Sequence, residues 1–435
     1  MADITRRDFI NGTAVALGTA AATPYLNAAS QHSEYYPPSQ TGLRGSHPGA
    51  NTHAHKVAWQ PTYKTGPARN TNEVYDLVVV GAGLSGLAAA YFYGQRFGPD
   101  HKILILDNHD DFGGHAKRNE HTIDGERLIS YGGSQTLVEP RSAGSVMQTL
   151  FQDVGINLER FDTAFDQGFY KRNGLGATTY FNAQHFGRDM LVRHPFCNYY
   201  NYLEGLPGAA ISDEEAVAQA PLTNRGKQQL LQVLKGGLHT LDVSGKDLQR
   251  YIETTNYFDY LKHTLGVDDP QVLRMARHSG IDWSSAGTEL LTIAEAQECG
   301  ALGFTPTPVY DAANPYIHHF PDGNAGVARA LVHFLIPSVA PGSDAESLVN
   351  TRFDYQQLDR PDQSARIRLN STVVNVHHQR GSGSRDRVAV SYFHNDNLHS
   401  VSAKRAVMAC YNMMIPHIVS DLPETQADAL RQQMK

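Results

Sequence analysis

The sequence is poor in cysteine, the residue that forms disulfides and many zinc sites. Its 435 residues contain only three cysteines, Cys197, Cys299 and Cys410, which lie far apart. Neither a disulfide framework nor a zinc site is predicted from so few and so scattered thiols. The chain has no Cys-x-x-Cys-His motif, which argues against a covalently attached c-type haem. After residue 30 no apolar run is long enough to cross a bilayer, so we expect no stable membrane span.

The chain also lacks a large excess of charge of one sign. Its formal net charge is −7 at pH 7, and this mild acidity argues against nucleic acid as a partner. Hydrophobic residues make up 41% of the sequence and charged residues 19%, as in ordinary globular proteins that bury a core. The length predicts two or three domains.

The first thirty residues carry a separate signal. Arg6 and Arg7 precede Asp8-Phe9-Ile10 and a weakly hydrophobic run over residues 11–26. This order is typical of a twin-arginine signal peptide, which predicts the corresponding export machinery as a partner and a periplasmic location. Small residues at 28–30 or at 20–22 offer cleavage sites. The alternative is a chance arginine pair before an ordinary helix.

A dinucleotide-binding turn follows the first clear strand. Residues 74–80 are mostly β-branched and apolar, which predicts a buried parallel strand. The next six residues read Gly-Ala-Gly-Leu-Ser-Gly, and a helix pattern follows. In such a turn the first glycine allows the tight bend, the second lets the backbone approach a pyrophosphate, and the third lets helix and strand pack closely. The helix amino terminus supplies amide donors to the phosphates. The candidate residues are Gly81, Gly83, Leu84, Ser85 and Gly86.

The next strand ends on an acid. Residues 102–106 read Lys-Ile-Leu-Ile-Leu, and Asp107 follows. A carboxylate at this point accepts hydrogen bonds from ribose hydroxyls and disfavours a 2′-phosphate, which argues against NADP.

The segment after Asp107 favours FAD over NAD. It contains Gly113-Gly114 and then the basic pair Lys117-Arg118, and it resembles the extended FAD signature of glutathione-reductase-like and amine-oxidase-like flavoproteins. Either basic residue could pair with the pyrophosphate or the substrate; the alternative is a solvated loop. Two further segments resemble parts of this superfamily. Gly132, Gly133, Ser134 and Gln135, after Tyr131, resemble the segment that covers the flavin ring, and Val374 matches a position whose backbone usually contacts the adenine.

The fold class predicted is α/β, with a Rossmann-like, glutathione-reductase-like FAD-binding domain and an inserted α+β substrate domain. The expected organisation is a signal peptide (1–30), an extended N-terminal arm (31–72), the first part of the FAD domain (73–164), the substrate domain (165–318) and an incomplete second part of the FAD domain (319–435). Helices are predicted in the insertion at 213–220, 224–234, 247–264 and 269–279, with Asp247 and Asp269 as N-caps. Strands are predicted at 387–393, 398–403 and 405–410.

Several segments together resemble bacterial spermidine dehydrogenases. They are residues 5–10, residues 42–49 (Gly-Leu-Arg-Gly-Ser-His-Pro-Gly), the FAD segment 75–118, and residues 316–342. The resemblance implies a periplasmic FAD enzyme that oxidises a polyamine at a C–N bond to an aldehyde and a shorter diamine. It also implies a possible b-type haem held by the N-terminal region. The superfamily's final Gly-Asp segment is missing after Cys410, so we expect the chain to be truncated at its carboxyl end.

The remaining candidate residues rest on the chemistry of their side chains and, for the histidines, also on the resemblance of residues 42–49 to the family. Glu139 follows the flavin-covering segment and is a candidate carboxylate for catalysis, while the catalytic base is not identified. His47 and His55 are candidate haem-iron ligands, because neutral imidazole binds haem iron; the alternative is that they are exposed loop histidines. The partners expected are a small amine substrate and an electron acceptor that the sequence does not identify. The alternatives left open are the same fold acting on an amino acid or an alkene, and a non-catalytic fragment.

Overall fold

The computed structural model describes residues 35–40, 47–60, 63, 65–138, 140–164, 166, 168–197, 211–236, 242–279, 286–304, 318–379 and 387–432. The export signal predicted for residues 1–30 lies outside this range, as does Glu139. No helix in the part of the chain that the structure describes is long and apolar enough to cross a membrane.

The strands form one large sheet and two hairpins. The strands are β1 (Arg69–Val80), β2 (Ile103–Leu106), β3 (Arg118–Ile123), β4 (Glu126–Tyr131), β5 (Thr179–Phe181), β6 (Met190–Val192), β7 (Ala365–Arg368), β8 (Ser371–Gln379), β9 (Arg387–His394) and β10 (Asn397–Met408). The large sheet has the order β7-β2-β1-β10-β9-β8. Its first four strands run parallel, whereas β10, β9 and β8 are antiparallel neighbours. The hairpins are β3–β4 and β5–β6.

The helices of six or more residues occur on both sides of the insertion and within it. They are α1 (Thr52–Trp59), α2 (Leu84–Phe97), α3 (Ser145–Asp153), α4 (Asp213–Gln219), α5 (Asn224–Lys235), α6 (Gly245–Thr254), α7 (Pro270–His278), α8 (Ile293–Glu298), α9 (Ala325–Leu335), α10 (Ala345–Asn350) and α11 (Glu424–Gln432). Shorter helical turns include Phe161–Ala164, Phe169–Arg172, Ala183–Phe186, Tyr257–Asp259 and Ile415–Ile418.

Two apolar cores cover the two faces of the large sheet. Leu77 and Val79 of β1 pack into one core with α2 and α9, and Val78 and Val80 pack into the other with β8, β9 and β10. Side chains alternate between the faces of a strand, so a strand covered on both faces is apolar at every position. This accounts for the unbroken apolar run at the end of β1. The fold is therefore α/β, with a Rossmann-like, largely parallel sheet.

The insertion has a core of its own. Buried apolar residues between Phe181 and Phe304 form a third cluster. Asp269 caps α7 as predicted, since its side chain accepts hydrogen bonds from the amides of Gln271 and Val272. The helix predicted over 247–264 is broken, because Thr255 is extended and the Asn256 side chain starts a new turn. Asp247 is not an N-cap but lies in the first turn of α6.

Two other local predictions were wrong. The segments 398–403 and 405–410 were predicted as separate strands, yet β10 is continuous because its pairing with β1 extends from His399 to Met408. The arm was predicted to be extended, yet it forms α1, which packs on β8. Its apolar contacts are tertiary and leave no periodicity in the local sequence.

A partly buried charge network ties β1 to β7. Both oxygens of Glu73 accept hydrogen bonds from Arg368, at 3.0 Å, and one of them also accepts from Arg366 at 2.8 Å. The Asp359 carboxylate pairs with the same two arginines. Burial raises the pKa of Glu73, but the hydrogen bonds and charge of its partners outweigh it and lower that pKa to about 2. The network therefore favours the folded state wherever Glu73 is ionised.

Candidate cofactor site

In the turn between β1 and α2, backbone atoms lie so close together that two positions leave no room for a side chain. Gly81 has φ +111°, a conformation that favours glycine. A Cβ atom on Gly86 would lie 1.9 Å from the Gly81 carbonyl oxygen. The turn therefore requires glycine at both positions, for the two reasons that the sequence pattern suggested.

The amino terminus of α2 opens at this turn. The helix begins at Leu84, three residues earlier than the apolar pattern indicated, and its N-cap residue Gly83 provides no side-chain cap. The first helical amides therefore lack a side-chain acceptor, and the helix dipole places partial positive charge there. Such a terminus favours a phosphate group.

Asp107 holds this turn in place. One carboxylate oxygen accepts a hydrogen bond from the Ala82 amide at 2.6 Å, and the other accepts from the His109 amide at 2.8 Å. Burial raises the pKa of Asp107, while these amide bonds and the charge of Lys117 act in the opposite direction. The carboxylate lies in the lining of the groove described below, where it has lone pairs left for a ribose hydroxyl.

The second glycine pair lies against the first turn. Gly83 and Gly113 form a parallel bridge, and the Gly113 amide donates to the Ala82 carbonyl at 2.8 Å. A Cβ atom on Gly114 would lie 2.9 Å from the Cα atom of Gly83. Two glycine-rich segments that are separated in the sequence thus form one wall of the site, and this wall consists of backbone atoms.

The two basic residues after the glycine pair have different environments. Lys117 is buried and acts on the Asp107 carboxylate through its charge. Arg118 does not face the groove: its guanidinium donates to Glu120 at 2.8 Å and to Asp322 at 2.7 Å, and all three side chains are buried. The prediction of a pyrophosphate or substrate contact for Arg118 is therefore corrected. Arg118 links β3 to the segment before α9, and the alternative of a solvated loop is also excluded.

The segment after β4 closes one end of the site. Ser134 lines the groove, and its carbonyl and hydroxyl oxygens accept hydrogen bonds from Asn324 at 3.1 and 2.8 Å. The Gly132 amide donates to the Lys117 carbonyl at 2.8 Å. Gly133 lies against the ring of His115, which a Cβ atom would approach to 2.5 Å. Among residues 132–135, Ser134 is the one in the lining of the groove.

Two adjoining cavities, of about 430 and 290 Å³, form a groove at the carboxyl ends of β1, β2 and β10. They share five lining residues, namely Gly81, Asn108, His109, Cys410 and Tyr411. Asn108, His109 and the segment after β10 were not among the residues predicted from the sequence. Their position directly after parallel strands was the available signal, because ligands of open α/β sheets bind outside the carboxyl ends of the strands.

The N-terminal arm covers the far end of the groove. Asn51, Ala54 and His55 line the smaller cavity, and the Asn108 side chain donates to the Ala50 carbonyl and the Asn51 side chain, at 3.1 Å each. His53 stacks on Phe393 with 3.7 Å between ring centroids and contacts Asp396 at 3.2 Å. Helix α1 is thereby fixed over the sheet.

The position predicted to contact adenine through its backbone lies next to a residue of the cavity lining. Val373 lines the smaller cavity, whereas Val374 is buried in β8 outside its lining. The pairing of β8 with β9 is irregular between Val373 and Asn375, and an irregularity of one residue changes which positions face a given side.

The two candidate haem ligands make different ring contacts. The His55 ring stacks on Trp59 with centroids 4.1 Å apart. The His47 ring faces the His109 ring at 6.2 Å, and the buried Nε2 atom of His47 has no hydrogen-bond partner. Within the described residues, no group of three or more His, Cys, Asp or Glu side chains could hold a metal ion.

Comparison with known proteins supports the dinucleotide-binding part of the chain. The profile of the NAD(P)-binding Rossmann-like domain matches residues 79–153, which include the glycine turn, Asp107 and the second glycine pair. Among curated proteins, none matches this chain.

A solved structure shows similarity over a longer stretch. It is the crystal structure of a CLA-producing fatty acid isomerase from P. acnes, at 14% sequence identity and a TM-score of 0.37. The alignment covers 82% of this chain and 64% of that protein, so this chain spans less than two thirds of its length.

Proposed function

We propose that this chain is an FAD-dependent oxidoreductase. The observation that carries the proposal is the continuous groove, in which the uncapped terminus of α2 and two facing glycine segments line one path. The groove has Ser134 in the lining of one cavity and Val373 in the lining of the other, and this elongated shape suits an extended dinucleotide. The second glycine pair extends the site beyond the turn that a nicotinamide dinucleotide shares, which favours FAD.

The residues present fit the adenosine diphosphate part of FAD. Amides at the start of α2 would hold the pyrophosphate, Asp107 would accept from the ribose, and the arm residues Asn51 and His55 would lie beside the adenine. FAD, when bound, supplies the hydride-accepting chemistry. The chain's part is to orient the substrate and to exclude water, and the segment around Ser134 is placed at the end of the groove for both tasks.

The finer proposal is that the substrate is a polyamine such as spermidine, oxidised at a C–N bond. It rests on the resemblance of residues 42–49 and 316–342 to spermidine dehydrogenases. The segments 42–46 and 305–317 and the candidate carboxylate Glu139 lie outside the described residues. A periplasmic location through the twin-arginine route belongs to the same proposal and rests on residues 5–30.

A b-type haem is part of this finer proposal. Its structural support is limited to His47, whose Nε2 atom is buried and whose ring lies edge to face with the ring of His109. Two facing imidazoles are a donor set that haem iron accepts. The smaller cavity beside His109 is also the place proposed for adenine, so the described residues do not accommodate both groups there. No electron-transfer step is assigned to haem.

The test is the visible absorption spectrum of the purified protein, recorded before and after spermidine is added without oxygen. Flavin bands that bleach with spermidine would support the polyamine proposal, and a Soret band lost in His47→Ala would support haem. The flavin bands could instead stay unchanged with spermidine and bleach with an amino acid or an unsaturated substrate. That result would support an FAD oxidoreductase and contradict the proposal that its substrate is a polyamine. A protein that takes up no FAD when saturated with it would contradict the proposed function.

A further inference from the structure

A second large cavity lies in the insertion, apart from the groove. It has a volume of about 480 Å³ and lies between the β5–β6 hairpin, the turn that follows β6 and one face of α7. It shares no lining residue with either cavity of the groove. Its chemistry is therefore set by other side chains.

The walls of this cavity are aromatic. The buried ring of Phe181 contacts Phe186 edge to face, with centroids 4.9 Å apart, and Phe196 at 5.9 Å. Met275 and Leu302 complete the apolar lining. Such a surface favours a flat or branched apolar body, because apolar area removed from water stabilises the complex.

Three of the polar side chains at the cavity are basic. Arg274, His185 and His278 line it, and all three side chains are exposed and make no ion pair or hydrogen bond within the described residues. Among the lining residues that the structure describes there is no Asp or Glu. The nearby Asp189 is engaged by the Tyr180 hydroxyl at 2.5 Å and the Ala183 amide at 2.9 Å.

Arg274 differs from the next arginine of the same helix, which does form an ion pair. Arg277, one turn further along the same helix, pairs with Glu289 at 3.4 Å and does not line the cavity. A guanidinium is always charged and presents a fork of donors that matches a carboxylate. Within the described part of the chain, Arg274 thus offers an unpaired fork beside an aromatic cavity whose lining residues carry no carboxylate, which is complementary to an anion with an apolar body.

We propose that this cavity binds an aromatic carboxylate, with its carboxylate on Arg274 and its ring among Phe181, Phe186 and Phe196. His185 and His278 add donors at the same mouth. The charge of Arg274 disfavours a cationic amine, so we do not assign the polyamine proposed above to this cavity. The two proposals rest on different residues and fail independently.

The experiment is isothermal titration of the full chain with 2-naphthoate and with its cationic counterpart 2-naphthylmethylamine, which carries a similar ring. We expect the naphthoate to bind and the amine to bind at least about tenfold more weakly, since a hydrogen bond to a charged group changes affinity on that scale. Arg274→Gln should weaken naphthoate binding about tenfold or more, on the same grounds. Arg277→Gln is the matched control and should leave the affinity unchanged.

Two further readouts keep the result interpretable. Thermal unfolding of Arg274→Gln should match that of the parent, because the side chain is exposed and unpaired. The absorbance of bound flavin should not change with naphthoate, which separates this cavity from the groove. No binding of naphthoate, equal binding of both probes, or unaltered affinity in Arg274→Gln would overturn the proposal.

Discussion

The groove and the insertion cavity differ in what they are made of. The groove is formed largely by backbone: glycine turns, a helix terminus and strand ends, fixed by Asp107. The insertion cavity is formed by side chains from the β5–β6 hairpin, the turn after it, α7 and Leu302. A backbone-built site tolerates little change in chain geometry, whereas a side-chain-built site is retuned by single substitutions on a stable frame.

The largest expected effect tests the backbone side of this comparison. Gly86→Ala places a Cβ atom where the Gly81 carbonyl lies, at 1.9 Å, so the turn must move and FAD binding should be lost. The measurement is bound FAD per chain after saturation, with far-UV circular dichroism to confirm the fold.

The control for this variant is on the same helix. A Cβ atom on Gly94 meets nothing within 4 Å, so Gly94→Ala should retain FAD and add up to about 1 kcal/mol of stability. Equal FAD content in both variants would show that FAD binding does not depend on the absence of a side chain at Gly86.

The next largest effect is on the stability of the sheet that carries the groove. Glu73→Gln removes the charge shared by Arg366 and Arg368, and the unfolding free energy at pH 7 should fall by roughly 2–3 kcal/mol. The folded-state pKa of Glu73 is about 2, below its ordinary value of 4.5. The difference between parent and variant should therefore persist above pH 4.5 and disappear as the pH falls toward 2.

Denaturant titrations across this range check the result. Asp362→Asn is the control, because Asp362 pairs with Arg360 at the exposed surface, where an ion pair contributes little to stability. A Glu73→Gln difference that does not depend on pH would contradict the assignment to ionised Glu73.

A smaller effect is expected from the carboxylate that fixes the turn. In Asp107→Asn one acceptor oxygen is replaced by a donor that faces the Ala82 or the His109 amide. The Kd for FAD should rise about tenfold or more, because a buried amide loses its acceptor. Quenching of flavin fluorescence on titration measures this.

Asp111→Asn is the matched control in the same loop. Asp111 is buried and accepts from the Tyr355 hydroxyl at 2.6 Å, outside the lining of the groove. Its substitution should leave the Kd for FAD unchanged. A similar loss of affinity in both variants would mean that the loop responds as a whole and that Asp107 has no special role.

The smallest expected effect comes from a side chain of the N-terminal arm that supports the backbone-built groove. His53→Ala removes the stacking on Phe393 and should weaken FAD binding by only a few fold, because the arm contributes less than about 1 kcal/mol. His53→Phe restores the stacking and should restore the affinity. The same fluorescence titration measures both, and an unchanged Kd in His53→Ala would show that the arm does not support the groove.

The sequence predicted the groove better than the cavity for a physical reason. The turn at residues 81–86 is contiguous, and its strand, helix and acid occur at regular spacing, so local rules apply to it. Val373 and not Val374 lines the smaller cavity, beside an irregular strand pairing, and no local pattern shows such an irregularity. Arg118 was misassigned because its partner Asp322 is remote in sequence.

The cavity in the insertion had no comparable signal. Arg274 and Phe181 meet only through the packing of the insertion core, and the sequence between them contains no motif. The arm helix α1 was missed for the same reason, since its contacts are with β8 and the turn Ile415–Ile418.

The most direct test of the account is a titration of the nucleotide-free chain with FAD and, separately, with NAD, followed by calorimetry. The account predicts stoichiometric FAD binding that is at least about 100-fold tighter than NAD binding, as expected if the second glycine pair and the Ser134 segment add contacts that NAD does not reach. Binding of NAD as tight as FAD, or no binding of FAD, would contradict the central claim that this groove is a flavin site.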